Sequence, residues 1–345
     1  MNVTNQTTTI YPTFDERVII STYYFSISVV CAILHAFVAT CILKTQMITS
    51  GSSKHLSPFY TLTMVLYVND SYKALLYMFY ACPCMILGYQ VYGTTAGYYI
   101  GATQTINHNS IVAATAFISL NRALSISSKK ACARAMFARR MCVVYAICGW
   151  ITGVLVVVMN VLILECHPVF DENKFSFLTL CKDPSAVAYM PSSVYAYVGI
   201  FGLAICYAYA LIVIRRSKMS VSDQSVEERI HKRQLKLFQQ AMFIWLGLVA
   251  NAISFRIMAV FKPCRWVTPI VYGVLIIGQS YVTPICAIIY DNQVRNQAKK
   301  QLRMKAQMIS TVKVTLIPDF AGSFRSTWGI IKLKKYKGRN ANSSD

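Results

Sequence analysis

Ionisable side chains lie inside the long apolar runs of this sequence, where an isolated charge is costly. Asp70, in "YVNDSY", is followed one helical turn later by Lys73, and the two charges can neutralise each other at that spacing. His108 belongs to a residue type that titrates near neutral pH, so it either senses pH or makes an ordinary hydrogen bond inside a helix bundle. Arg122 closes an apolar run in "SLNRALSI". What these groups do depends on the elements that hold them.

The apolar runs are long enough to cross a membrane. The chain has 345 residues, 55% hydrophobic and 14% charged, and the charged share is well below the roughly 25% of soluble domains. A helix needs about 20 apolar residues to span the hydrocarbon layer. The sequence therefore predicts an all-α integral membrane protein, a seven-transmembrane helix bundle in which the polar third helix is central. The spans are approximately 18–43, 57–81, 94–121, 140–164, 192–214, 237–260 and 267–290.

Basic residues are distributed unevenly along the chain. Most of the 34 lysines and arginines fall in segments 44–56, 122–139, 215–236 and 291–345, whereas the alternate segments hold five. The positive-inside rule predicts a multi-pass plasma-membrane protein with its amino terminus outside and its carboxyl terminus in the cytoplasm. The net charge of +21 favours anionic membrane lipids over nucleic acid as the binding partner, because the basic residues flank the spans. Tyrosines near the outer ends of the helices, including Tyr77 and Tyr80, are predicted to form an aromatic belt.

The predicted topology divides the chain into four parts. They are an extracellular tail (1–17), the seven-helix bundle (18–290), the amphipathic juxtamembrane helix (291–309) and a basic cytoplasmic tail (310–345). Asn2 and Asn5 are glycosylation acceptors in the extracellular tail. In the juxtamembrane segment, Val294, Ala298 and Leu302 share one face, which predicts a short amphipathic eighth helix on the membrane plane.

Motifs at the helix positions form a recognisable set: Asp70 in the second helix, Asn121-Arg122 at the end of the third, Trp150 in the fourth, Tyr207 in the fifth and Pro284 in the seventh. Together with the topology, this set resembles the rhodopsin-like G protein-coupled receptors over roughly residues 15 to 310. It is most similar to the nematode serpentine chemoreceptors, where an Asn-Arg pair often replaces the usual acidic residue and arginine. Gly247 and Ala287 depart from the family pattern, which has a proline and a tyrosine there.

The resemblance implies a switch at Arg122. In the family this side chain is held in the resting bundle and packs after activation towards the fifth-helix tyrosine, here Tyr207, and a Gα subunit. Asn121 cannot form an ion pair, so Glu227 or Glu228 is predicted as the resting partner. The alternative is that Arg122 anchors the helix end by extending to water at the inner membrane interface.

The ligand pocket is predicted from the spacing along the third helix. Gln104 lies five turns before Arg122 and so shares its face, as His108 approximately does. The family's amine receptors carry an aspartate at the position that matches Gln104, so a simple amine is not the expected ligand. Trp245 of the sixth helix completes the predicted pocket. Arg256 either extends to the interface or points inward, where it would bind a carboxylate.

A polar core and disulfides are also implied by the resemblance. The core would join Asp70 to a seventh-helix group comprising Gln279, Ser280, Thr283 and Pro284, where the family often holds sodium. The family's third-helix cysteine is replaced here by Gly97. Two alternatives remain open: Cys82 or Cys84 pairs with a loop cysteine, or the two loop cysteines, Cys166 and Cys181, pair with each other.

The predicted function is that of a G protein-coupled chemoreceptor, which senses an external small molecule or peptide and activates a heterotrimeric G protein. The sequence has no phosphate-binding loop, metal-ligand cluster or nucleophile elbow, so neither enzymatic activity nor a cofactor is expected. A ligand-gated cation channel of the seven-helix odorant-receptor type is the alternative, but such channels keep the amino terminus inside. A transporter is disfavoured by the odd helix number and the lack of internal repeats.

Overall fold

The computed structural model describes residues 12–49, 58–126, 135–183, 191–218, 225–261 and 273–315, together with residues 269 and 271. The chain divides into two compact units, Met1–Ala298 and Lys299–Asp345. The first unit holds the helix bundle. In the second unit, the described residues are the helical ones up to Thr315.

The described chain is almost entirely helical. Most helices extend beyond the predicted spans by a turn or more, because a helix that crosses the hydrocarbon layer can continue into water at either end. The elements in chain order are α1 (Phe14–Thr49), α2 (Pro58–Leu76, continuing through Tyr77–Ala81 and Cys82–Leu87), α3 (Gly93–Ile126), α4 (Arg139–Leu162), β1 (Cys166–Asp171), β2 (Ser176–Cys181), α5 (Pro191–Lys218), α6 (Ser225–Phe261), α7 (Gly273–Ile277 and Gly278–Tyr290) and α8 (Asn292–Thr315).

Helix α2 contains a π-helical turn, Tyr77–Ala81, which ends two residues before Pro83. Pro83 has no N–H to donate and its ring crowds the carbonyl four residues back, so a regular α-helix cannot continue there unchanged. The carbonyl of Phe79, which would pair with residue 83 in a regular α-helix, accepts a hydrogen bond from the Tyr92 hydroxyl at 3.4 Å. The helix then runs on to Gly88, which ends it with φ +75°. Cys82 and Cys84 are therefore helical, where the sequence predicted the start of a loop.

Hydropathy alone finds fewer spans than the fold contains. By length and composition, two of the described helices are apolar enough to cross a membrane, within Phe14–Thr45 and Arg140–Leu162. Tyr197–Val213 and Phe238–Ser254 are shorter apolar stretches. The low hydropathy of α3 comes from side chains that are buried among other helices. They are Asn107, Asn109, Ser110, Thr115, Ser119 and Asn121.

Helix α3 is the centre of the bundle, as the sequence predicts. It packs against α2, α4, α5 and α6, and one end of it also contacts β1. Close approach to α4 requires small residues, because a Cβ on Gly153 would lie 2.8 Å from the Ile106 carbonyl oxygen. The buried polar residues of α3 thus face other helices, which explains how this helix can be both polar and internal.

The core consists of two clusters. The first joins α1 to α8 through residues such as Ile118, Leu203, Phe238 and Val294. The second lies at the end of the bundle that carries the β-hairpin, here called the hairpin end. Its buried members include Tyr77 and Tyr80, so these two tyrosines pack in the protein interior and do not form the predicted aromatic belt. The opposite end of the bundle, which carries Arg122, is here called the arginine end.

Candidate functional site

Arg122 at the arginine end is buried, with 5% of its surface exposed. Its guanidinium carbon lies 4.0 Å from the centroid of the Phe59 ring of α2. A guanidinium over an aromatic face gains electrostatic attraction to the ring, which offsets part of the cost of its burial. The alternative that Arg122 is a helix-end anchor extending to water is therefore wrong for this conformation. The arginine is held inside the bundle by α2.

The predicted partner of Arg122 in α5 contacts α3 one turn away. The Tyr207 hydroxyl lies 2.5 Å from the Ser119 hydroxyl. Ser119 donates its own proton to the Thr115 carbonyl at 2.8 Å, so Tyr207 is the donor in the shared hydrogen bond. Both Tyr207 and Ser119 are buried. In this conformation Tyr207 therefore joins α5 to α3 through Ser119, three residues before Arg122.

Trp245 of α6 contacts the same tyrosine. Its ring centroid lies 5.4 Å from that of Tyr207, and the Phe238 ring, two turns away on α6, lies at the same distance. The Trp245 indole nitrogen donates to the Ile200 carbonyl of α5 at 3.3 Å. The sequence placed Trp245 in the ligand pocket. The structure places it between that region and the arginine end. There it links α6 to α5 through the Ile200 carbonyl and the Tyr207 ring.

A second contact at the arginine end was not foreseen from the sequence. Tyr60, next to Phe59 on α2, donates a hydrogen bond to the carboxylate of Asp291, and both residues are buried. The other oxygen of Asp291 accepts the backbone N–H groups of Gln293 at 2.9 Å and Val294 at 3.4 Å. Asp291 thus caps the N-terminus of α8, where a negative charge is favourable. Adjacent residues of α2 hold both the arginine and the start of α8.

Tyr60→Phe is expected to destabilise the protein measurably. The substitution keeps the ring but removes the hydroxyl that donates to one of the two Asp291 carboxylate oxygens, and hydrogen bonds to charged groups contribute roughly 1.5–3 kcal/mol. Tyr145→Phe is the matched control, because the Tyr145 hydroxyl donates to the Met136 carbonyl at 2.9 Å in an exposed position. Thermal unfolding of both variants in detergent measures the difference. Equal melting temperatures for the two would contradict a stabilising role for the Tyr60 contact.

Asp70 lies in a buried polar network in the middle of the bundle. Ser280 of α7 donates to its carboxylate at 2.8 Å, and the Lys73 ammonium lies 3.8 Å away. The two interpretations of Asp70 drawn from the sequence, pairing with Lys73 and contact with Ser280, therefore coexist. The His35 ring nitrogen Nε2 donates to the Ser280 carbonyl at 2.9 Å, which brings α1 into the network.

The remaining seventh-helix residues of the predicted core take different positions. Gln279 does not join Asp70, because its side-chain oxygen accepts a hydrogen bond from Asn251 of α6 at 2.7 Å. Thr283 is buried, and Pro284 lies inside α7. Among the described residues, no group of three or more His, Cys, Asp or Glu side chains is placed to hold a metal ion.

The predicted pocket residues of α3 lie nearer the hairpin end. Gln104 has a buried side-chain oxygen with no hydrogen-bond partner, and His108 is half-buried. One turn along, Asn107 donates from its side chain to the Asn69 carbonyl at 3.0 Å, and its own side-chain oxygen has no partner. Such unsatisfied buried acceptors are uncommon in folded proteins and indicate a position where another polar group is expected.

The loop between α4 and α5 forms a β-hairpin over the end of the bundle. β1 and β2 are antiparallel, with Cys166 opposite Cys181, and a disulfide joins these two cysteines. At the base of the hairpin a hydrogen bond from Lys182, 2.8 Å from the Glu165 carboxylate, lowers the pKa of that carboxyl group. The pair is solvent-exposed and contributes little to stability. Cys82 and Cys84 are buried thiols, so the pairing that joins α2 to the loop is not formed.

Side chains from two other elements fix the hairpin in place. The Arg17 guanidinium of α1 donates to the Glu172 carbonyl at 3.3 Å and to the Asn173 side chain at 2.7 Å. Gln90, in the loop before α3, donates to the Phe170 carbonyl and to the Glu172 carboxylate. The sequence contained a signal for this hairpin, because turn-forming residues 171–174 separate two short runs rich in β-branched and aromatic residues.

Several predicted residues lie outside what the structure describes. The side chains of Glu227, Glu228 and Arg256 belong to this group, as do Asn2 and Asn5 of the amino-terminal segment. The proposed ion pair between Arg122 and Glu227 or Glu228, the inward or outward direction of Arg256, and glycosylation therefore stay predictions.

The helix arrangement is similar to that of a solved membrane protein. Squid rhodopsin has a similar fold, with a TM-score of 0.59 and 16% sequence identity over 82% of this chain and 86% of the rhodopsin chain. At this identity the similarity establishes the seven-helix architecture alone. A comparison with curated proteins gave no significant match.

The family follows from the sequence itself. The profile of the serpentine-type 7TM GPCR chemoreceptor family Srx matches residues 25–277, and the chain belongs to this family. It is therefore a multi-pass membrane receptor of the G protein-coupled chemoreceptor class, whose general partners are a ligand and a heterotrimeric G protein. This confirms the class predicted from the motifs, and nothing in the comparisons supports the channel alternative.

Proposed function

We propose that an external small molecule or peptide binds between the helices near the hairpin end and releases Arg122 at the arginine end for contact with a Gα subunit. The observation that carries this proposal is the burial of Arg122 against Phe59, with Tyr207 hydrogen-bonded to Ser119 one turn away. A buried arginine held over an aromatic ring can move out of the bundle when the helices around it shift. It is therefore suited to a two-state equilibrium.

The aromatic contacts supply a physical connection between the two ends. A ligand that displaces Trp245 changes the packing of Tyr207, because their rings are in contact. Tyr207 is bonded to Ser119, so a change in its position alters the contact between α5 and α3 beside Arg122. We propose that activation uses this sequence of contacts, with Gln104 and His108 on the ligand side. Arg256 is assigned to the same pocket from its sequence position.

We further propose that the hairpin end is extracellular and the arginine end cytoplasmic. The Cys166–Cys181 disulfide supports this orientation, because disulfides persist on the oxidising side of the membrane. The basic segments supply the second support, since they favour the cytoplasm and approach anionic lipids there. The segment "KLKKYKGR" at 332–339 is the strongest candidate for lipid contact. Glycans on Asn2 or Asn5 fit the same orientation.

Two measurements on the full-length receptor test these proposals. Expressed with a promiscuous Gα subunit, the receptor is expected to release calcium in response to some of the odorants and peptides in a broad panel. Currents that persist without any G protein would instead favour a channel. Epitope tags at the two ends of the receptor, probed with antibodies on intact cells, test the orientation. Only the amino-terminal tag is expected to be accessible. Both tags in one compartment would overturn the topology.

A further inference from the structure

Lys73 is a buried cation that the switch does not use. It has 5% of its surface exposed and lies on α2 one turn nearer the hairpin end than Asp70. The resemblance to the family implies a polar-core role for Asp70 but no role for Lys73. A buried ammonium group requires polar partners, because removing it from water costs several kcal/mol in effective terms.

Contacts between α2 and α3 define the level of Lys73 in the bundle. Asn69 donates from its side chain to Ser110 at 3.0 Å, and Tyr72 donates to Thr103 at 2.5 Å. The two helices run in opposite directions, so Lys73, which follows Tyr72, lies level with Thr103 and Gln104. Asp70, on the same stripe of α2 as Lys73, faces Ser280 of α7. Lys73 therefore lies in the interior, at the level of the predicted pocket.

The hydrogen-bonding capacity of Lys73 is not used within the described part of the chain. Its ammonium nitrogen lies 3.8 Å from the nearest Asp70 oxygen, which is beyond hydrogen-bond distance, and no described residue accepts a hydrogen bond from it. The same Asp70 oxygen already accepts the Ser280 hydroxyl. An ammonium has three donors. The pair is thus neutral in charge, while all three lysine protons remain available to another acceptor.

We propose that Lys73 anchors the carboxylate of a small acidic ligand, and that the ligand also carries a hydrogen-bond donor such as a hydroxyl group. This inference rests on the proposed function, because it names the ligand class of the same pocket. The carboxylate satisfies the donors of Lys73 with charge-assisted hydrogen bonds. The donor would bond acceptors on the facing turns of α2 and α3, since the side-chain oxygens of Asn69, Gln104 and Asn107 are buried without partners.

The charge arrangement selects against cationic ligands. An amine in this pocket would lie close to the Lys73 ammonium, and Gln104 offers no negative charge to compensate. The Asp70 carboxylate is the nearest anion, but it is already occupied by Ser280 and Lys73. The receptor is therefore expected to respond to hydroxy acids and not to the corresponding amino alcohols.

The test compares matched ligands on the full-length receptor in the calcium assay. Small aliphatic hydroxy acids are expected to activate it, with their methyl esters and the corresponding amino alcohols weaker by about 10- to 100-fold, as expected for loss of a charge-assisted interaction. Lys73→Met is expected to remove the response to the acids by a similar factor, and Lys73→Arg to retain it within a few-fold. Acids and esters of equal potency would overturn the proposal.

A second variant separates ligand binding from folding, because Lys73→Met leaves Asp70 as an uncompensated buried charge. The double variant Lys73→Met with Asp70→Asn has no net charge change, and it is expected to reach the surface but not to respond to acids. A receptor that signals to neutral or cationic ligands independently of Lys73 would overturn this inference alone. A receptor with neither ligand-evoked nor basal G-protein signalling would overturn the proposed function itself.

Discussion

Replacing Arg122 with alanine is expected to abolish G-protein signalling while the receptor still reaches the cell surface. The arginine provides the buried charge that our proposal exposes to a Gα subunit, and alanine removes it together with the contact to Phe59. The lost stacking contributes about 0.5–2 kcal/mol, which is a small enough destabilisation for the variant to fold. Surface labelling and ligand-evoked calcium release, measured on the same cells, report the two properties separately.

Arg140→Ala is the matched control for this experiment. Arg140 is a basic residue near the same end of the bundle, and its side chain is exposed at the start of α4. Removing it changes the net charge by the same amount without altering a buried contact. Signalling is therefore expected to stay near the level of the unmodified receptor. If Arg122→Ala signalled as well as Arg140→Ala, the proposed switch role of Arg122 would be wrong.

The fold was largely predictable because membrane spanning imposes strong constraints on a sequence. Apolar runs together with the polar segments between them indicate where the helices lie, and the distribution of lysine and arginine predicts their direction. The central place of α3 followed from its polar residues, which only a helix inside a bundle can carry in such number. The π-helical turn before Pro83 was less accessible, since the proline signals a distortion but does not determine which geometry relieves it.

The candidate site was only partly predictable, because its contacts join residues that are distant in the sequence. Asp70 and Ser280 are 210 residues apart, and Tyr60 and Asp291 are 231 apart. The family pattern suggested the first pair. No sequence pattern suggested the second pair. Nothing around the α2 tyrosine indicates that its hydroxyl bonds the residue that caps α8. Periodicity gives the face of a residue but not its partner across the bundle.

Two predictions were wrong because a side chain packs against a partner that the sequence does not reveal. Gln279 was expected beside Asp70 but pairs with Asn251, because a neighbouring amide provides both a donor and an acceptor. Tyr77 and Tyr80 were assigned to the membrane interface, but the hairpin covers them. Phe177 lies 5.7 Å from the Tyr77 ring and 6.3 Å from the Tyr80 ring. In both cases an unrecognised partner determined the position of the side chain.

The contact between α3 and the hairpin is too close for a methyl group at Gly101. Gly101 of α3 lies directly under β1, and a Cβ at this position would lie 2.2 Å from the Pro168 carbonyl oxygen and 2.6 Å from its carbonyl carbon. Both are backbone atoms. The strand cannot move away easily, because the Cys166–Cys181 disulfide and the Arg17 hydrogen bonds hold the hairpin. Gly101→Ala is therefore expected to displace the hairpin or bend α3.

The expected cost is about 1–3 kcal/mol or more, which exceeds the roughly 1 kcal/mol that alanine gains over glycine in a helix. Gly202→Ala in α5 is the control, because nothing lies within 4 Å of its added Cβ and only the helical gain remains. The two substitutions are thus expected to shift the melting temperature of the purified receptor in opposite directions, downward for Gly101→Ala and slightly upward for Gly202→Ala. A shift of the same sign and size in both would show that β1 does not constrain α3. The hairpin would then be free to move when a ligand binds.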